Sequence, residues 1–419
     1  ALVSWPSAPF TKSLVLKAIT SLAHPPSVIF DSPCDMHRYL QSLKSNTRLL
    51  QWSTYDDIDH ERSLLYRNST LSSSYTIRKA LIRKHFLSRT IHAFCTKHPT
   101  SLLSSAVPRS YEVEISFSDE LDELFADDLY DLSQDLDNGG SWWILKPGMA
   151  DRGDGIRLFD NKKALREIFE EFEEDSSDEE RDETEEDASE GDASAGIVIS
   201  QLRHFVIQEY IPNPLLIDPR EFHLRAYCVV QGALRVYLYD RVLALFSAVP
   251  YTPPRRDEVS DLAPHLTNSS LQTHRGEDGV RLFDELLRLT ESHITSILDQ
   301  IRDILAEIFR AALENVVHFQ PVPNGFELFG IDFLVSYNGE SSPHSPFSVC
   351  ILEVNSEPAI ELTGPRLSWI LEDLFETIAK VCVEPFFSSE LDVEDCAPAR
   401  WTTAATEYHF IKCLDEQVR

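Results

Sequence analysis

Apolar and polar residues alternate along most of the chain from residue 141 onward, which is the pattern of half-buried β-strands. The strand-like segments are, in chain order, WWILK, GIRLF, HFVIQEYI, EFHLRAYCVV, ALRVYLYDRVLALFS, FELFGIDFLV and FSVCILEVN. Residues 280–317 and 367–381 instead repeat apolar residues every three or four positions and predict amphipathic helices, the first with or without a break. The pattern predicts an α+β protein whose second half is rich in strands.

The first part of the chain has shorter patterns. A helix beginning near Thr11, short strand-like runs and several prolines predict a small α/β lobe. Residues 75–94 have helical spacing and many bases, and residues 118–137 predict one further helix with an acidic, solvated face. A chain of 419 residues is long enough for two or three lobes. We expect three lobes, at residues 1–74, 75–211 and 212–419.

Acidic residues outnumber basic ones, 69 to 38, and give a formal net charge of −31. Much of this charge is local, because residues 170–192 contain fifteen acidic side chains and one Arg. The segment 170–196 is therefore predicted to be a disordered insertion, and either a site for a protein partner or a solvating loop. The overall charge argues against direct nucleic-acid binding, which depends on clustered Lys and Arg.

The seven cysteines lie far apart and form no CxxC pair or Cys/His cluster. They fit a reducing cytosol or nucleus, and we predict a cytoplasmic protein. No apolar stretch is long enough to span a bilayer, so no membrane association is expected. The first residues contain neither an initiator Met nor a secretory signal. We therefore expect the chain to begin inside a longer one, whose missing N-terminal domain is a second candidate for partner binding.

The segment ILKPGMADRGDGIRLF predicts a hairpin, in which an apolar strand delivers Lys146 before a turn that contains Gly153 and Gly155. Its spacing differs from the GxxxxGK[ST] phosphate loop. The glycines still allow backbone N–H groups to approach phosphate oxygens, and Lys146 supplies positive charge. The alternative is an ordinary glycine-containing turn with a surface lysine.

The segment FVIQEYI at residues 205–211 is an apolar strand that ends before Pro212 and Pro214. Such a break predicts a hinge between lobes, and clefts between lobes are common small-molecule sites. Free backbone groups there would suit the edge of an adenine ring. An ordinary strand end is the alternative.

Asp332 lies in one predicted strand, and Glu353 and Asn355 lie two apart in the next. A period of two places Glu353 and Asn355 on the same face of their strand. Carboxylate and amide oxygens suit Mg²⁺ that bridges nucleotide phosphates. The alternative, charged residues on a solvated face, is weaker here because the neighbouring apolar residues alternate toward a core and no base is near in sequence.

Two arginines in neighbouring predicted strands, Arg225 and Arg241, are candidates to hold a carboxylate or phosphate. Ion pairs with nearby acids are the alternative. The loop segment HLTN, with His265, Thr267 and Asn268, is polar but carries little information by itself.

Together, and in this order, these segments resemble the signature segments of the tubulin-tyrosine ligase-like family over about residues 75–387, in particular those of its fungal members. The resemblance implies an ATP-grasp fold with antiparallel sheets and a nucleotide cleft between the central and C-terminal lobes. It also implies an ATP-dependent ligase that activates a carboxylate as an acyl-phosphate, which an amine then attacks. Its cofactors would be ATP and Mg²⁺, and its substrates a free amino acid and a protein acceptor.

Matched by motif, the resemblance implies these roles. Phosphates would be held by Lys79 in TIRKAL and by Lys146, together with Gly153 and Gly155. Adenine and ribose would contact Gln208, Glu209, Tyr210, Ile211, His223, His265, Thr267 and Asn268. Magnesium would be held by Asp332, Glu353 and Asn355, with Glu353 also counted as catalytic beside Arg225 and Arg241.

The chain departs from the family at REFHLR, where Glu221 and His223 stand in place of the Lys and Asp of better-known members. Nucleotide affinity or amino-acid choice is expected to differ as a result. Tubulin is a family-level expectation for the acceptor, which the strong negative charge opposes because tubulin tails are acidic. A nucleotide-binding scaffold or interaction protein with little ligase activity is the alternative function.

Overall fold

A computed structural model describes residues 1–29, 39–40, 42–148, 155–179, 203–256, 261–267, 279–339, 345–388 and 408–417. Within these ranges the helices are α1 (Pro9–Thr20), α2 (His60–Leu65), α3 (Lys79–Ile82), α4 (Lys84–Lys97), α5 (Leu103–Ala106), α6 (Leu121–Ala126), α7 (Tyr130–Asn138), α8 (Lys162–Glu179), α9 (Glu291–Glu314), α10 (Ser368–Ile378) and α11 (Glu384–Ser388). The strands are β1 (Leu49–Gln51), β2 (Thr70–Ser72), β3 (Ser110–Glu114), β4 (Trp143–Pro147), β5 (Arg157–Phe159), β6 (His204–Glu209), β7 (Leu216–Ile217), β8 (Arg220–Gln231), β9 (Arg235–Tyr239), β10 (Leu243–Phe246), β11 (Val280–Leu282), β12 (Phe326–Tyr337), β13 (Phe347–Asn355) and β14 (Phe410–Asp415).

A large antiparallel sheet forms the C-terminal half, with β11, β10, β8, β12 and β13 in spatial order. Strand β9 also pairs with β8, β14 pairs with β9, and β7 pairs with the start of β8. Both long central strands are buried because helices cover the sheet: Leu224 and Ala226 of β8 join the core that contains α9, whereas Tyr227 and Val229 join the core that contains α1 and α10. The period of two thus separates two cores.

The odd-numbered face of β8 changes character along the strand. Tyr227 and Val229 are in the core beneath α10, but Glu221, His223 and Arg225 precede them on the same face. One end of this face is therefore packed, and the other carries polar and charged groups.

A smaller antiparallel sheet, in the order β3, β6, β4, β5, packs against α6, α7 and α8 around its own core. The strand β4 pairs with β5, so the predicted hairpin at residues 144–159 is confirmed, although the residues 149–154 at its tip lie outside the described ranges.

The N-terminal region contains the parallel pair β1 and β2. Leu2, Leu40 and Leu49 form a small cluster there, whereas α1 packs into the larger cluster that contains α10. Residues 75–106 likewise contribute to the core of the large sheet. The predicted lobe boundaries at 74/75 and 211/212 stay a prediction. Side chains on both sides of the first boundary pack into the cores of the large sheet.

Three local predictions are corrected. The apolar spacing at 280–317 predicted a helix from its start, but Val280–Leu282 is strand β11, paired with β10, and α9 begins at Glu291, where the Thr290 side chain caps it by accepting from the His293 N–H. The single helix predicted at 118–137 is divided into α6 and α7. Disorder predicted from residue 170 is wrong for residues 170–179, which α8 includes.

None of the helices within the described ranges is both long and apolar enough to cross a membrane.

Candidate functional site

A cleft of about 1060 Å³, counted to its open mouth, separates the small sheet from the large one. Strands β4 and β6 form one wall, and β8, β12 and β13 form the other. The predicted site residues that line it are Lys146, Gln208, Glu209, Tyr210, Ile211, His223, His265, Thr267, Asp332, Glu353 and Asn355. Residues distant in sequence are thus brought together in one cleft between the two sheets.

Other predicted residues lie elsewhere. Lys79 is exposed at the start of α3, and neither it nor Arg225, Arg241 or Gly155 lines the cleft. Gly155 has a φ of +70°, a backbone conformation that favours glycine. Gly153 and Asn268 lie outside the described residues.

Asp332, Glu353 and Asn355 converge at one end of the cleft, as their spacing predicted. Asp332 is opposite Glu353 in the ladder between β12 and β13, and the register shifts immediately after Asp332. The Asn355 Nδ2 atom donates to Glu353 Oε1 over 3.2 Å. Three oxygen-bearing side chains therefore share one small volume.

Arg225 stands directly opposite Asp332 on β8 and donates to both of its carboxylate oxygens, from Nε and from Nη2, the latter over 2.9 Å. The Nε2 atom of His223 lies 3.6 Å from Asp332 Oδ1. Burial alone would raise the pKa of Asp332, but the charge of Arg225, then His223, lowers that pKa below its usual value. The alternative kept open for Arg225, an ion pair with a nearby acid, is thus what the structure contains.

Two lysines contribute positive charge to the cleft. Lys146 Nζ donates to Gln208 Oε1 over 2.6 Å, and burial lowers the pKa of Lys146 to about 8. Lys84 Nζ lies 3.8 Å from Glu353 Oε2. Sequence reasoning missed Lys84, although a signal existed: the tripeptide Ile-Arg-Lys occurs twice, at 77–79 and 82–84, and the resemblance was matched to the first copy.

The hinge between the sheets is held by side chains from the loop near residue 265. The hydroxyl of Tyr210 lies 3.0 Å from His265 Nδ1 and 3.3 Å from the hydroxyl of Tyr251. The carboxylate of Glu209 is bound from outside the cleft by Arg109 over 2.8 and 3.0 Å. Side chains of the hinge are thereby occupied by the protein, and the backbone N–H groups of Glu209 and Tyr210 also donate, to the carbonyls of Arg109 and Trp142 over 2.8 and 2.9 Å.

Two buried polar atoms in the cleft wall have no hydrogen-bond partner within the described part of the chain: Glu221 Oε2 and His223 Nε2. On its other side, His223 Nδ1 lies 2.5 Å from Thr267 Oγ1. Burial raises the pKa of Glu221 to about 8. Buried polar groups are normally satisfied, so these two atoms point to a ligand that hydrogen-bonds there. Glu221 entered the sequence reasoning only as a departure from the family.

Arg241 belongs to a different cluster. Its guanidinium lies over the ring of Trp369, 5.0 Å from the centroid, and its Nη2 is 3.5 Å from His409 Nε2. On its other side, His409 Nδ1 pairs with Asp240, the neighbour of Arg241 in sequence, over 3.0 Å. Arg241 is therefore placed at the edge of the large sheet, beside a half-exposed tryptophan.

The donors at the carboxylate end fit a magnesium ion bound together with a nucleotide. Among the described residues no group of three or more His, Cys, Asp and Glu side chains stands where it could hold a metal ion. Two carboxylates and one amide are instead what Mg²⁺ requires when phosphate oxygens and water complete its shell. A metal cage made of protein ligands alone does not fit this site.

The two sheets and the polar cleft between them are those of an ATP-grasp protein. The crystal structure of the C-terminal domain of K. lactis Pby1, described as an ATP-grasp enzyme that interacts with the mRNA decapping enzyme Dcp2, superposes with a TM-score of 0.69, at 28% identity, over 100% of this chain and 99% of that one. The predicted α+β class and ATP-grasp fold are thus confirmed.

The tubulin-tyrosine ligase family matches residues 65–391, and the chain belongs to that family. It is 36% identical over 385 residues to the probable tubulin–tyrosine ligase PBY1 of Saccharomyces cerevisiae, covering 88% of this chain and 49% of that protein. It is 38% identical over 348 residues to the probable tubulin–tyrosine ligase C12B10.04 of Schizosaccharomyces pombe, covering 81% of this chain and 83% of that protein. The chain thus spans about half the length of the budding yeast relative.

Proposed function

We propose that this chain is an ATP-dependent carboxylate–amine ligase that adds an amino acid to a protein acceptor through an acyl-phosphate. One observation carries the proposal: lysines from the small-sheet side and from α4 face Asp332, Glu353 and Asn355 across a single cleft. Positive charge for phosphates and hard oxygen ligands for Mg²⁺ therefore meet where a nucleotide would lie. Catalysis of phosphoryl transfer depends mostly on such positioning and charge neutralisation.

The proposed reaction has two steps. A carboxylate oxygen of the acceptor attacks the γ-phosphorus of ATP, ADP leaves, and an acyl-phosphate forms. The amine of the amino acid, after losing a proton to solvent, then attacks the acyl carbon, phosphate leaves, and an amide bond forms. Closing the cleft excludes water, which would otherwise hydrolyse the acyl-phosphate.

The residues of the cleft divide this work. Lys84 and Lys146 neutralise phosphate oxygens, with Gly153 and Gly155 proposed for the same turn, and Asp332, Glu353 and Asn355 hold Mg²⁺. When bound, Mg²⁺ supplies positive charge that the transferred phosphoryl group requires. The adenine and ribose contacts are assigned to this set: Gln208, Glu209, Tyr210, Ile211, His223, His265, Thr267 and Asn268.

Arg225 acts mainly on Asp332, whose carboxylate it holds in one orientation. A bidentate arginine fixes both the position and the charge of its partner. Arg225 is thus proposed as a positioning residue, and Arg241, in its separate cluster beside Trp369, stays a candidate for the acceptor carboxylate. The proposal of Lys79 as a phosphate ligand is transferred to Lys84, since Lys79 is exposed away from the cleft.

Tubulin is a proposal for the acceptor, supported by the names of both yeast relatives. The net charge of −31 opposes an acidic acceptor unless bases gather at the cleft mouth. Two of the bases in residues 75–94 are paired with acids instead: Arg78 is buried beside Glu327, and Arg89 pairs with Glu112 over 2.6 Å. An acceptor that is less acidic than a tubulin tail therefore fits this chain better, in a reducing cytoplasm where its cysteines remain thiols.

The test is ATP binding by calorimetry with and without Mg²⁺, for the wild type and for Glu353→Gln, followed by ADP release with amino acids and acceptor peptides. A matched control is Glu123→Gln, an exposed acid on α6. We expect Mg²⁺-dependent binding that Glu353→Gln weakens and Glu123→Gln does not, and turnover that requires an amino acid. Absence of ATP binding by the wild type would contradict the proposal.

A second candidate function, protein interaction, is favoured by the similar K. lactis domain, which interacts with the decapping enzyme Dcp2. We propose that this chain binds a protein of the same kind, whether or not it also ligates. Immobilised Dcp2 should retain the purified chain in the presence of ATP and in its absence. ATP binding and Dcp2 binding without turnover would favour the scaffold over the ligase.

A further inference from the structure

A second cavity lies at the edge of β12 where β13 has ended. The pairing of β12 with β13 stops at Gly330 and Asn355, so residues 326–329 have no β13 partner on that side. The N-terminal region fills the edge instead, with a bridge between Ser72 and Gly325. The second cavity lies between the N-terminal region, the start of β12 and α10.

The walls of this cavity are largely aromatic. Trp52 stacks on Phe375 at 6.0 Å between centroids and meets Phe326 edge-on at 5.4 Å. The indole N–H of Trp5 donates to the Trp52 carbonyl over 3.1 Å, and Ile378 adds an aliphatic side. Such walls suit an apolar or aromatic side chain.

Charged groups of both signs also line the cavity. Arg78 is buried and lies over the Tyr55 ring, 4.2 Å from its centroid, and its Nη1 donates to Ser74 and to Glu327. A guanidinium has five N–H donors, so these two bonds do not exhaust Arg78. Arg78 can therefore also receive a carboxylate.

Two exposed carboxylates, Glu357 and Glu361, stand at the mouth. Glu357 Oε1 accepts from the Tyr55 N–H over 3.4 Å, and Glu361 Oε1 accepts from the Thr11 hydroxyl over 3.2 Å. Because Glu327 already balances Arg78, these two acids leave the cavity with excess negative charge, which favours a ligand that carries an ammonium group.

The second cavity adjoins the nucleotide cleft. Asn355 lines the cleft, and Glu357, two residues later, lines the second cavity, so their Cα atoms are at most about 7 Å apart. At Gly330, an added Cβ would lie 2.6 Å from Pro358 Cβ and 3.3 Å from Arg225 Cδ. The Pro358 ring and the Arg225 side chain therefore both approach Gly330 at this point between the two spaces.

We propose that the second cavity binds the free amino acid that the ligase joins to its acceptor, and that this amino acid is apolar or aromatic. Arg78 receives its carboxylate, Glu357 and Glu361 attract its ammonium group on the side nearest Asn355, and the aromatic walls hold its side chain. The inference rests on the proposed function. A peptide terminus would offer only one of the two charges.

The test measures binding of labelled amino acids to the whole chain by equilibrium dialysis with Mg-ADP, using L-tyrosine, L-leucine and L-glutamate, and N-acetyl-tyrosine and tyrosine amide as competitors. Ala359→Trp places a large ring at the exposed rim of the cavity, and Ala126→Trp, at the exposed end of α6, is its matched control. The double substitution Glu357→Gln/Glu361→Gln removes the charge without adding bulk.

We expect L-tyrosine or L-leucine to bind at least tenfold more tightly than L-glutamate and than either blocked analogue. Ala359→Trp and the double substitution should each weaken binding about tenfold, and Ala126→Trp should not. Preference for L-glutamate, equal competition by a blocked analogue, or unchanged binding in both cavity variants would each overturn the inference. ATP binding in the same samples reports separately on the ligase proposal, because no cavity variant touches the nucleotide cleft.

Discussion

Asp332 and Glu327 are buried carboxylates on the same strand, β12, and each has an arginine partner, yet their pKa values move in opposite directions. Asp332 is bound by two nitrogens of Arg225, and its pKa lies below the usual value. Glu327 is bound by Nη1 of Arg78 and by the Tyr75 N–H over 3.1 Å, and burial raises its pKa to about 7 despite them.

The difference is one of partner geometry. The register between β8 and β12 places Arg225 directly across from Asp332, where both carboxylate oxygens can be bound. Arg78 comes from outside the sheet and reaches Glu327 through Nη1 alone. Asp332 is therefore held charged at neutral pH, as the proposed role of a magnesium ligand needs. Glu327 instead joins the N-terminal region to β12, which is a structural task.

Breaking the Glu327 pair should have the largest effect on stability. In Arg78→Met the carboxylate remains buried without its cation, and we expect the free energy of unfolding to fall by about 3–5 kcal/mol. Urea denaturation at pH 8 measures it. The double variant Arg78→Met/Glu327→Gln should lose clearly less, because no unpaired charge remains. Equal losses in the two variants would show that packing of Arg78, not its charge, matters.

Removing the charge of Asp332 should have the largest effect on activity. We expect Asp332→Asn to lower ADP release, stimulated by amino acid and acceptor, on the order of 10²–10³-fold, as when other preorganised charges at a reacting centre are lost. Glu123→Gln, an exposed acid on α6, is the control and should leave the rate unchanged within about twofold. A fall of less than about tenfold in Asp332→Asn would mean that the charge of Asp332 is not part of the reacting centre.

Glu221 is a third buried carboxyl, and no arginine contributes to its pKa. Burial alone raises the pKa of Glu221 to about 8. Between about pH 4.5 and pH 8 the native state keeps a proton that the unfolded chain releases. Stability due to this group is therefore present at low pH and is lost as the pH rises through that window.

Glu221→Gln should abolish this loss. Relative to the wild type, its free energy of unfolding should rise by roughly 1–3 kcal/mol between pH 5 and pH 8, measured by urea denaturation. Glu123→Gln, an exposed acid, should follow the wild type at every pH. A constant difference between Glu221→Gln and wild type across the range would mean that Glu221 is charged in the native state.

Sequence periodicity was sufficient for contacts within one strand and insufficient for contacts between strands. Glu353 and Asn355 share a face because strands repeat every two residues, and this was predictable. The pairing of Arg225 with Asp332 depends on sheet order and register across 107 positions, which no local pattern contains. The sequence therefore left an ion pair of Arg225 with some acid open as an alternative, but it could not name Asp332 as that acid.

Local ambiguity explains the other errors. Val280 and Leu282 fit helical spacing, but their pairing with β10 makes them a strand, and the Thr290 cap sets the true start of α9. The fold itself was recoverable because many segments of the family occur in order, so an error in one segment changed little. The phosphate-binding lysine was assigned from one short motif, and because that motif occurs twice the sequence could not tell which copy was meant.

The two copies of Ile-Arg-Lys give the smallest and most discriminating prediction. Lys84 lies 3.8 Å from Glu353 and lines the cleft, whereas Lys79 is exposed at the start of α3. A charge-assisted contact to phosphate contributes roughly 1.5–3 kcal/mol, so Lys84→Ala should weaken Mg-ATP binding at least about tenfold by calorimetry. Lys79→Ala should change it by less than about 0.5 kcal/mol, as for an ordinary surface substitution. If Lys79→Ala weakened Mg-ATP binding more than Lys84→Ala, Lys79 would be the phosphate contact. The ion pair with Glu353 would then be the role left for Lys84.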